Sequence, residues 1–459
     1  PVVRRLRRGG VKLITGTTKR LVLVAGCLRY ATSARLALGG SKAASASLDL
    51  RGSASDIEGP MLEVCASEPA PELQEHFEIL PSEGEAGWSG SDCDVSLVIG
   101  GGPTGRRVLW LFADTLIAKY QRSRRRRDHI GCRMPHSSVA IVEIGGDGAM
   151  SRPKYIWRTA TDGSATNFFE PSEAHSAKGE TLWPVAGLAS RDGTSVLVLC
   201  QRVRGFLNVV GTTLIALPDV ASEEDPRRWS YSMVDIGTSE YTWFSAIFFA
   251  EPQGDLVYIF GHGPCEDGAD QMKADNTILA RARFSDLLRL DSRHMSYWID
   301  PGEWSTTIKR LRPLGLPSWE TTCTWSEELG LWYTFDIPSL STEVFLYAAE
   351  QVTGPWTRLK VWDIGEPFNR PPWICYAAKA HPELVPPIAV RKRNSSASQG
   401  RERRAPSGAV ELVFTWISNA LEESSDFERS TLFVDEGMVL ETRGYWPRFQ
   451  RLLVRRSPP

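Results

Sequence analysis

Residues 95–112 read Val-Ser-Leu-Val-Ile-Gly-Gly-Gly-Pro-Thr-Gly-Arg-Arg-Val-Leu-Trp-Leu-Phe: an apolar run, a turn rich in glycine, and a second apolar run. Each run is too short for a helix, is bounded by turn formers and is rich in branched and aromatic residues, so the pair reads as two strands. The same order recurs downstream. Pro184–Ala189 and Val196–Cys200 flank Arg191-Asp192-Gly193, and Trp243–Ala250 and Leu256–Phe260 flank Glu251-Pro252-Gln253-Gly254. Thr321–Trp325 and Leu331–Phe335 flank Glu327-Glu328-Leu329-Gly330, and Ile374–Ala378 precedes Val410–Ile417 across a long insert. A third candidate strand follows each pair, at Ser138–Ile144, Thr212–Leu217, Thr277–Phe284, Glu343–Ala349 and Thr431–Val434. Fourth strands fit Tyr155–Trp157, Trp229–Val234, Met295–Ile299, Arg358–Trp362 and Phe449–Val454. Five units of four antiparallel strands predict an all-β chain folded as a five-bladed β-propeller, which limits exposed sheet edges by radial repetition. A β-sandwich with long loops is the alternative.

Composition agrees with a folded body. Of 459 residues, 42% are apolar and 24% charged, which excludes collagen, a coiled coil and a largely disordered chain. No apolar run approaches the roughly 18 residues of a membrane-spanning helix. The net charge of -2 hides an asymmetry, because ten of the 53 Lys and Arg precede the first acid, Asp49. From there on, 43 basic residues face 55 acidic ones, a balance of -12. An acidic body argues against nucleic acid as partner. Residues 1–70 read as a basic leader or disordered segment, with Leu21–Leu28 as a short apolar stretch, which suggests a secreted or organellar protein. The propeller then occupies 71–459, with a polar, disordered insert near 391–408. The eight Cys include no C-x-x-C, so no zinc site is supported; Cys132 and Cys265 lie in loops and could pair if the protein is secreted.

In a propeller, the innermost strands all start at one end of the central axis, so the residues just before them converge. Those positions carry Asp92 and Asp94, Glu180, Glu240, Glu320 and, in the fifth unit, Arg370. Each start also brings an indole: Trp88, Trp183, Trp243, Trp319 and Trp373. The second strands end at the same rim and add Asp114, Arg202, His262, Asp336 and Asn419. Indole faces stack on sugar rings while carboxyls handle a glycosidic oxygen, so the ring points to a polysaccharide or oligosaccharide. Hydrolysis needs one carboxyl as acid and another as base or nucleophile, and crowding keeps the acid protonated near neutral pH. Asp94 is placed as base or nucleophile and Glu320 as acid, with Asp92, Asp114 and Glu240 in support. Trp183, Trp243, Trp319, Trp373, His262, Arg202 and Asn419 are placed on the substrate. No redox cofactor or metal is called for; a calcium ion at the axis would have no sequence motif behind it. The chain lacks G-x-S-x-G, H-E-x-x-H and a phosphate-binding loop.

The stretch Ser91-Asp92-Cys93-Asp94-Val95-Ser96-Leu97 followed by Leu109-Trp110-Leu111-Phe112-Ala113-Asp114-Thr115 resembles the opening of a family of five-bladed propellers. That family, long described as a domain of unknown function, includes microbial endo-D-arabinanases and is similar in architecture to arabinanase and xylosidase propellers. Its second strand reads W-L-F-G-D-T, and Ala113 replaces the Gly here. Further echoes are His136-Ser137-Ser138, Tyr258-Ile259-Phe260-Gly261, Gly354-Pro355-Trp356 and Ala380-His381-Pro382-Glu383-Leu384. The resemblance covers about Trp88 to Asn419 and implies a glycoside hydrolase-like site. It implies Asp94 (or Asp92) as base and Glu320 as acid, with Thr322 where the family has Ser. Two readings stay open beside the arabinanase-like hydrolase: a carbohydrate-binding propeller without catalysis, and a protein-interaction propeller.

Overall fold

The computed structural model describes residues 62–457 except 80, 83, 103–104, 122–125, 206–207, 237–242, 252, 263–276, 308–310, 317–319, 339–340, 370–372, 386–407 and 421–444. The described residues fall in the unit Glu58–Pro459. The chain enters through β1 (Leu62–Pro69), α1 (Pro71–Phe77) and β2 (Ala86–Ser91). Pro71 suits the first turn of α1, where an amide hydrogen would have no partner, and Leu73 and Phe77 are the buried face.

The first sheet joins β3 (Val95–Gly102) and β4 (Gly105–Phe112) to β7 (Ser138–Gly145) and β8 (Lys154–Ile156). Between them, β5 (Thr115–Gln121) and β6 (Arg126–Arg133) pair with β2 instead. A short hairpin, β9 (Arg158–Thr159) and β10 (Ala165–Thr166), and α2 (Glu173–Ser176) lead to the second sheet. That sheet runs β11 (Glu180–Ala189), β12 (Val196–Arg204), β13 (Asn208–Leu217), β14 (Ser232–Asp235). The third runs β15 (Trp243–Phe249), β16 (Leu256–His262), β17 (Thr277–Arg283), β18 (Ser296–Asp300), β19 (Glu303–Ser305), with α3 (Phe284–Leu288) after β17. It thus holds one strand more than the sequence suggests. The fourth is β20 (Cys323–Ser326), β21 (Leu331–Asp336), β22 (Glu343–Ala349), β23 (Thr357–Asp363).

The last sheet departs from expectation. Its order is β24 (Trp373–Ala380), β25 (Val410–Ala420), β26 (Arg448–Arg456) and then β1. Phe449–Val454 is therefore in the third strand rather than the fourth, and Thr431–Val434 lies outside the described residues. The body also begins before residue 71, because Leu62 pairs with Arg456 and Pro69 with Gln450. Leu62 and Val64 pack on the sheet's core, but Glu63, Ser67 and Glu68 leave too weak an alternation to mark a strand. Pairing the first described strand with the last covers an edge that would otherwise stay open. The leader expected over 1–70 lies outside the described residues as far as 61, as does nearly all of the 391–408 insert. No described helix is long and apolar enough to cross a membrane.

Each sheet packs on the next. Leu97 and Leu111 of the first sheet share a cluster with Leu197 and Leu199 of the second and Ile247 and Ile259 of the third. Phe248 and Phe260 meet Trp332 and Tyr347 of the fourth, whose Phe335 and Leu346 meet Phe414 and Leu452 of the last. Val413 and Phe449 of that last sheet return to Trp110 and Phe112 of the first. The turn after β11 shows how close the first contact is. Gly193 has φ +70°, and a Cβ there would stand 2.3 Å from the Gly100 nitrogen; the Gly100 amide donates to Gly193 O at 2.7 Å. Gly193→Ala is expected to destabilise by about 2–3 kcal/mol, from left-handed strain plus a backbone clash. Gly163→Ala, with φ +81° and nothing within 4 Å, isolates the strain at about 1 kcal/mol. Urea unfolding with unchanged slope checks both; equal midpoint shifts would contradict the clash.

Candidate active site

Between β2 and β3 the chain carries Asp92, Cys93 and Asp94, and the Asp92 amide donates to Asp114 O at 3.2 Å while the Ala113 amide donates to Asp92 O at 3.1 Å. These two backbone bonds set the carboxyl after β4 beside the pair before β3. Asp114 is buried and lies 2.6 Å from His136 Nδ1, which is itself 3.2 Å from Trp183 Nε1.

The last sheet faces this cluster. Tyr376 stands opposite Ile417 and Lys379 opposite Thr415. Partners across a ladder share a face, and so do residues two apart, so Tyr376 and Lys379 lie on one face despite their spacing of three. The bulge between them does this, with Ala377 at φ +55°. Tyr376 donates its hydroxyl to Asp92 Oδ2 at 3.2 Å. Lys379 is fully buried, and its ammonium makes no hydrogen bond among the described residues. His381 Nε2 lies 3.8 Å from Asp94 Oδ2, with both side chains at 0% exposure. Neither oxygen of Asp94 has a hydrogen-bond partner among the described residues.

Glu320, half-buried, lies just before the first strand of the fourth sheet. The two threonines after it fix its place: Thr321 donates to Phe335 O at 2.9 Å, and Thr322 Oγ1 accepts from the Ala380 amide at 2.7 Å. Of the four described non-glycine residues in left-handed conformation, three are Cys93, Ala377 and Tyr445. Tyr445 accepts from the Ser91 amide at 2.6 Å and donates its own amide to Ser418 O at 2.8 Å. Backbone held in sparsely populated conformations concentrates where function demands a geometry.

Charge is crowded here. Burial pushes the Asp92 carboxyl well above the usual range, the charges of Asp114, Glu320 and Asp94 push it further, and the Tyr376 hydrogen bond opposes them. Burial also raises Glu320, with Asp94 and Asp114 adding to it against the pull of Lys379. Asp114 rises by burial against its His136 hydrogen bond. Such carboxyls titrate as a set and keep a proton when one of their number has ionised.

A raised carboxyl binds its proton in the folded state at pH values where the unfolded chain, near pH 4, has already released it. Stability contributed by this set therefore falls as pH rises through that window. Asp92→Asn keeps an acceptor for Tyr376 and removes the charge. It is expected to raise the thermal midpoint, by the equivalent of about 1–2 kcal/mol at pH 8 and less at pH 4. Calorimetry at the two pH values checks it, and a loss of stability at pH 8 would contradict it.

The structure thus brings together Asp92, Asp94, Asp114 and Glu320. Glu240, Trp319 and Arg370 lie outside the described residues, and Trp243 begins β15 with its side chain outside them. Glu180 does not join the acids. It pairs with Arg204, with His175 at 2.8 Å and with Arg202 at 3.8 Å. Burial opposes its ionisation, but Arg204, His175 and Arg202 bring its carboxyl below the ordinary value. Arg202, expected on the substrate, is held in that cluster and by Asp235. His262 ends β16, buried and opposite Thr277. Trp373 is half-buried with its ring edge-on to Phe368 at 5.0 Å, and Asn419 is buried opposite Ile374. Trp88 leaves the rim altogether: it lies in β2 and stacks on Tyr155 at 3.9 Å inside the core. Sequence reasoning missed Tyr376, Lys379 and Tyr445; a lysine in the otherwise apolar Trp373–Ala380 was the available signal.

A family model described as "Domain of unknown function (DUF5005)" matches residues 78–387. No curated protein matches the chain. Among solved structures, an exo-β-1,3-galactanase from Phanerochaete chrysosporium has 6% identity and a TM-score of 0.37, covering 78% of this chain and 65% of that one. A GH43_1 enzyme from Xanthomonas citri has 10% identity and a TM-score of 0.37, covering 83% and 89%. An exo-1,5-α-L-arabinanase from a bovine ruminal metagenomic library has 9% identity and a TM-score of 0.36, covering 82% and 96%. The chain spans just under two thirds of the galactanase's length.

Proposed function

The chain belongs to the DUF5005 family, and from that footing we propose that it is a glycoside hydrolase-like five-bladed β-propeller that cleaves glycosidic bonds in an arabinan-like or related polysaccharide. Two features support the propeller. Five sheets pack in sequence order and the last returns to the first. A cavity of about 400 Å³ is lined by residues from every one of the five: Leu97, Gly187, Ile247, Cys323 and Ala380 among them.

The observation that carries the chemistry is the crowding of buried and half-buried carboxyls that flank strands of the first and fourth sheets. Carboxyls raised by burial and by one another's charge can supply an acid and a base at once. Glu320 is the acid, set to protonate the leaving oxygen. On the opposite side stand Asp92 and Asp94. Asp94 was the base expected from sequence, but it is sealed at 0% exposure; Asp92, half-buried, is the more accessible of the two and takes the base role, with Asp94 as the fixed charge behind it. Trp183, tied to Asp114 through His136, offers an indole beside the acids. A carboxyl separation near 5 Å in the complex would give retention and roughly 6.5–9.5 Å inversion.

The test is a panel of arabinans, xylans, galactans and algal polysaccharides, scored for new reducing ends and, in parallel, for heat of binding. Hydrolysis is expected on a furanoside-containing member. Binding without cleavage would replace this reading with a carbohydrate-binding propeller, and neither would favour a protein-interaction one.

A further inference from the structure

Behind Asp94 lies a buried chain of polar groups that the proposed chemistry does not use. His381 follows β24, and its ring faces polar oxygens on both sides. Nε2 is 2.7 Å from Thr415 Oγ1 and 3.8 Å from Asp94 Oδ2. Nδ1 is 2.5 Å from Ser96 Oγ and 3.5 Å from Glu383 Oε1. The Ser96 hydroxyl donates to Glu383 Oε1, so Ser96 Oγ accepts from Nδ1 and that nitrogen carries a proton. Two carboxylates flank the ring, one at each nitrogen, and Trp110 stacks on its face at 4.7 Å. An indole face and two flanking carboxylates all favour the charged imidazolium.

The other charged and titratable groups nearby are Lys379 on the same strand, Glu320 before β20, Arg106 of β4 and Tyr333 of β21. Arg106 Nη2 donates to Glu383 O at 3.3 Å, which fixes the backbone that carries Glu383. Tyr333 feels the Glu383 charge, while Phe449 adds only a ring. Burial alone would discharge His381, but the Asp94 and Glu383 carboxyls beside its two nitrogens carry it above the ordinary histidine value. Ser96 and Glu383 also line the cavity between the five sheets.

We propose that Ser96, His381 and Glu383 form a positioning triad, entered from the central cavity, that holds His381 as imidazolium beside the sealed Asp94. His381 is a positioning residue and touches no substrate. The proposal rests on the carboxylate reading of the site but is tested without any glycan. Proton-detected nitrogen NMR on the full chain with labelled histidine, assigned by loss of one signal in His381→Gln, follows its protonation with pH. The expected result is a His381 signal doubly protonated at a pH where free histidine is neutral. Glu383→Gln should lower its midpoint by about one pH unit, a tenfold change in proton affinity, and Ser96→Ala by less. A His381 that titrates near pH 6.5, or that ignores Glu383→Gln in a folded variant, overturns the proposal. Should Glu383→Gln fail to fold, Ser96→Ala decides alone, and an unchanged midpoint there overturns it. If a glycan is cleaved, Glu383→Gln should move the alkaline limb of kcat/KM to lower pH with little change in KM. An imidazolium that behaves as expected beside a total lack of hydrolysis would remove the proposed function and leave the triad.

Discussion

Lys379→Met is expected to destabilise the chain by about 3–5 kcal/mol at pH 8. The ammonium is fully buried and makes no hydrogen bond among the described residues, yet it pulls on both Glu320 and Cys93. Replacing a buried ion pair whole by apolar groups is often neutral, whereas removing one partner leaves the other charge uncompensated. Here several carboxyls would be left, and their only escape is to take up protons. The deficit should therefore shrink towards pH 4, where protonation is easy, and grow as pH rises. Lys379→Met/Glu320→Gln should recover part of the loss, since it removes charge from both sides, and a double-mutant cycle measures the coupling. Denaturant unfolding at pH 5 and pH 8 checks the sequence of effects. A single variant as stable as the parent at pH 8 would show that Lys379 compensates nothing.

The second large effect is kinetic. Glu320→Gln keeps the shape and removes the proton, so hydrolysis of a polysaccharide should fall by about 10²–10⁴-fold in kcat, the range of general acid catalysis. A substrate with a good leaving group, such as a nitrophenyl furanoside, needs no protonation to depart. For it the loss should be smaller by at least tenfold, a contrast that a folding defect would not produce. Equal losses on both substrates would move Glu320 from acid to nucleophile or base.

What the sequence could show follows from what each residue's local pattern determines. Strand–turn–strand order depends on nearest neighbours, and β3/β4, β11/β12, β15/β16, β20/β21 and β24/β25 all fall on stretches readable that way. Residues flanking those strands then led to Asp92, Asp94, Asp114 and Glu320. The same rule misplaced Glu180, because register across the ladder sets Arg204 directly opposite it, and register is not written in either strand alone. Trp88 misled for a related reason: it belongs to β2, which pairs outside the first sheet. Tyr376 and Lys379 were missed because a bulge turns both to one face; the lysine in an apolar run was the one local sign of them. β1 escaped because its partner is nearly four hundred residues away and supplies the order its own pattern lacks.

The most direct measurement of the central claim is reducing-end release from the polysaccharide panel by the parent chain, run beside Glu320→Gln and Asp92→Asn at matched folded concentration. The account predicts release from a furanoside-containing polysaccharide by the parent and a loss of at least a hundredfold in each variant, while both stay folded. Release that survives both substitutions, or no release from any polysaccharide by a folded parent, would contradict it.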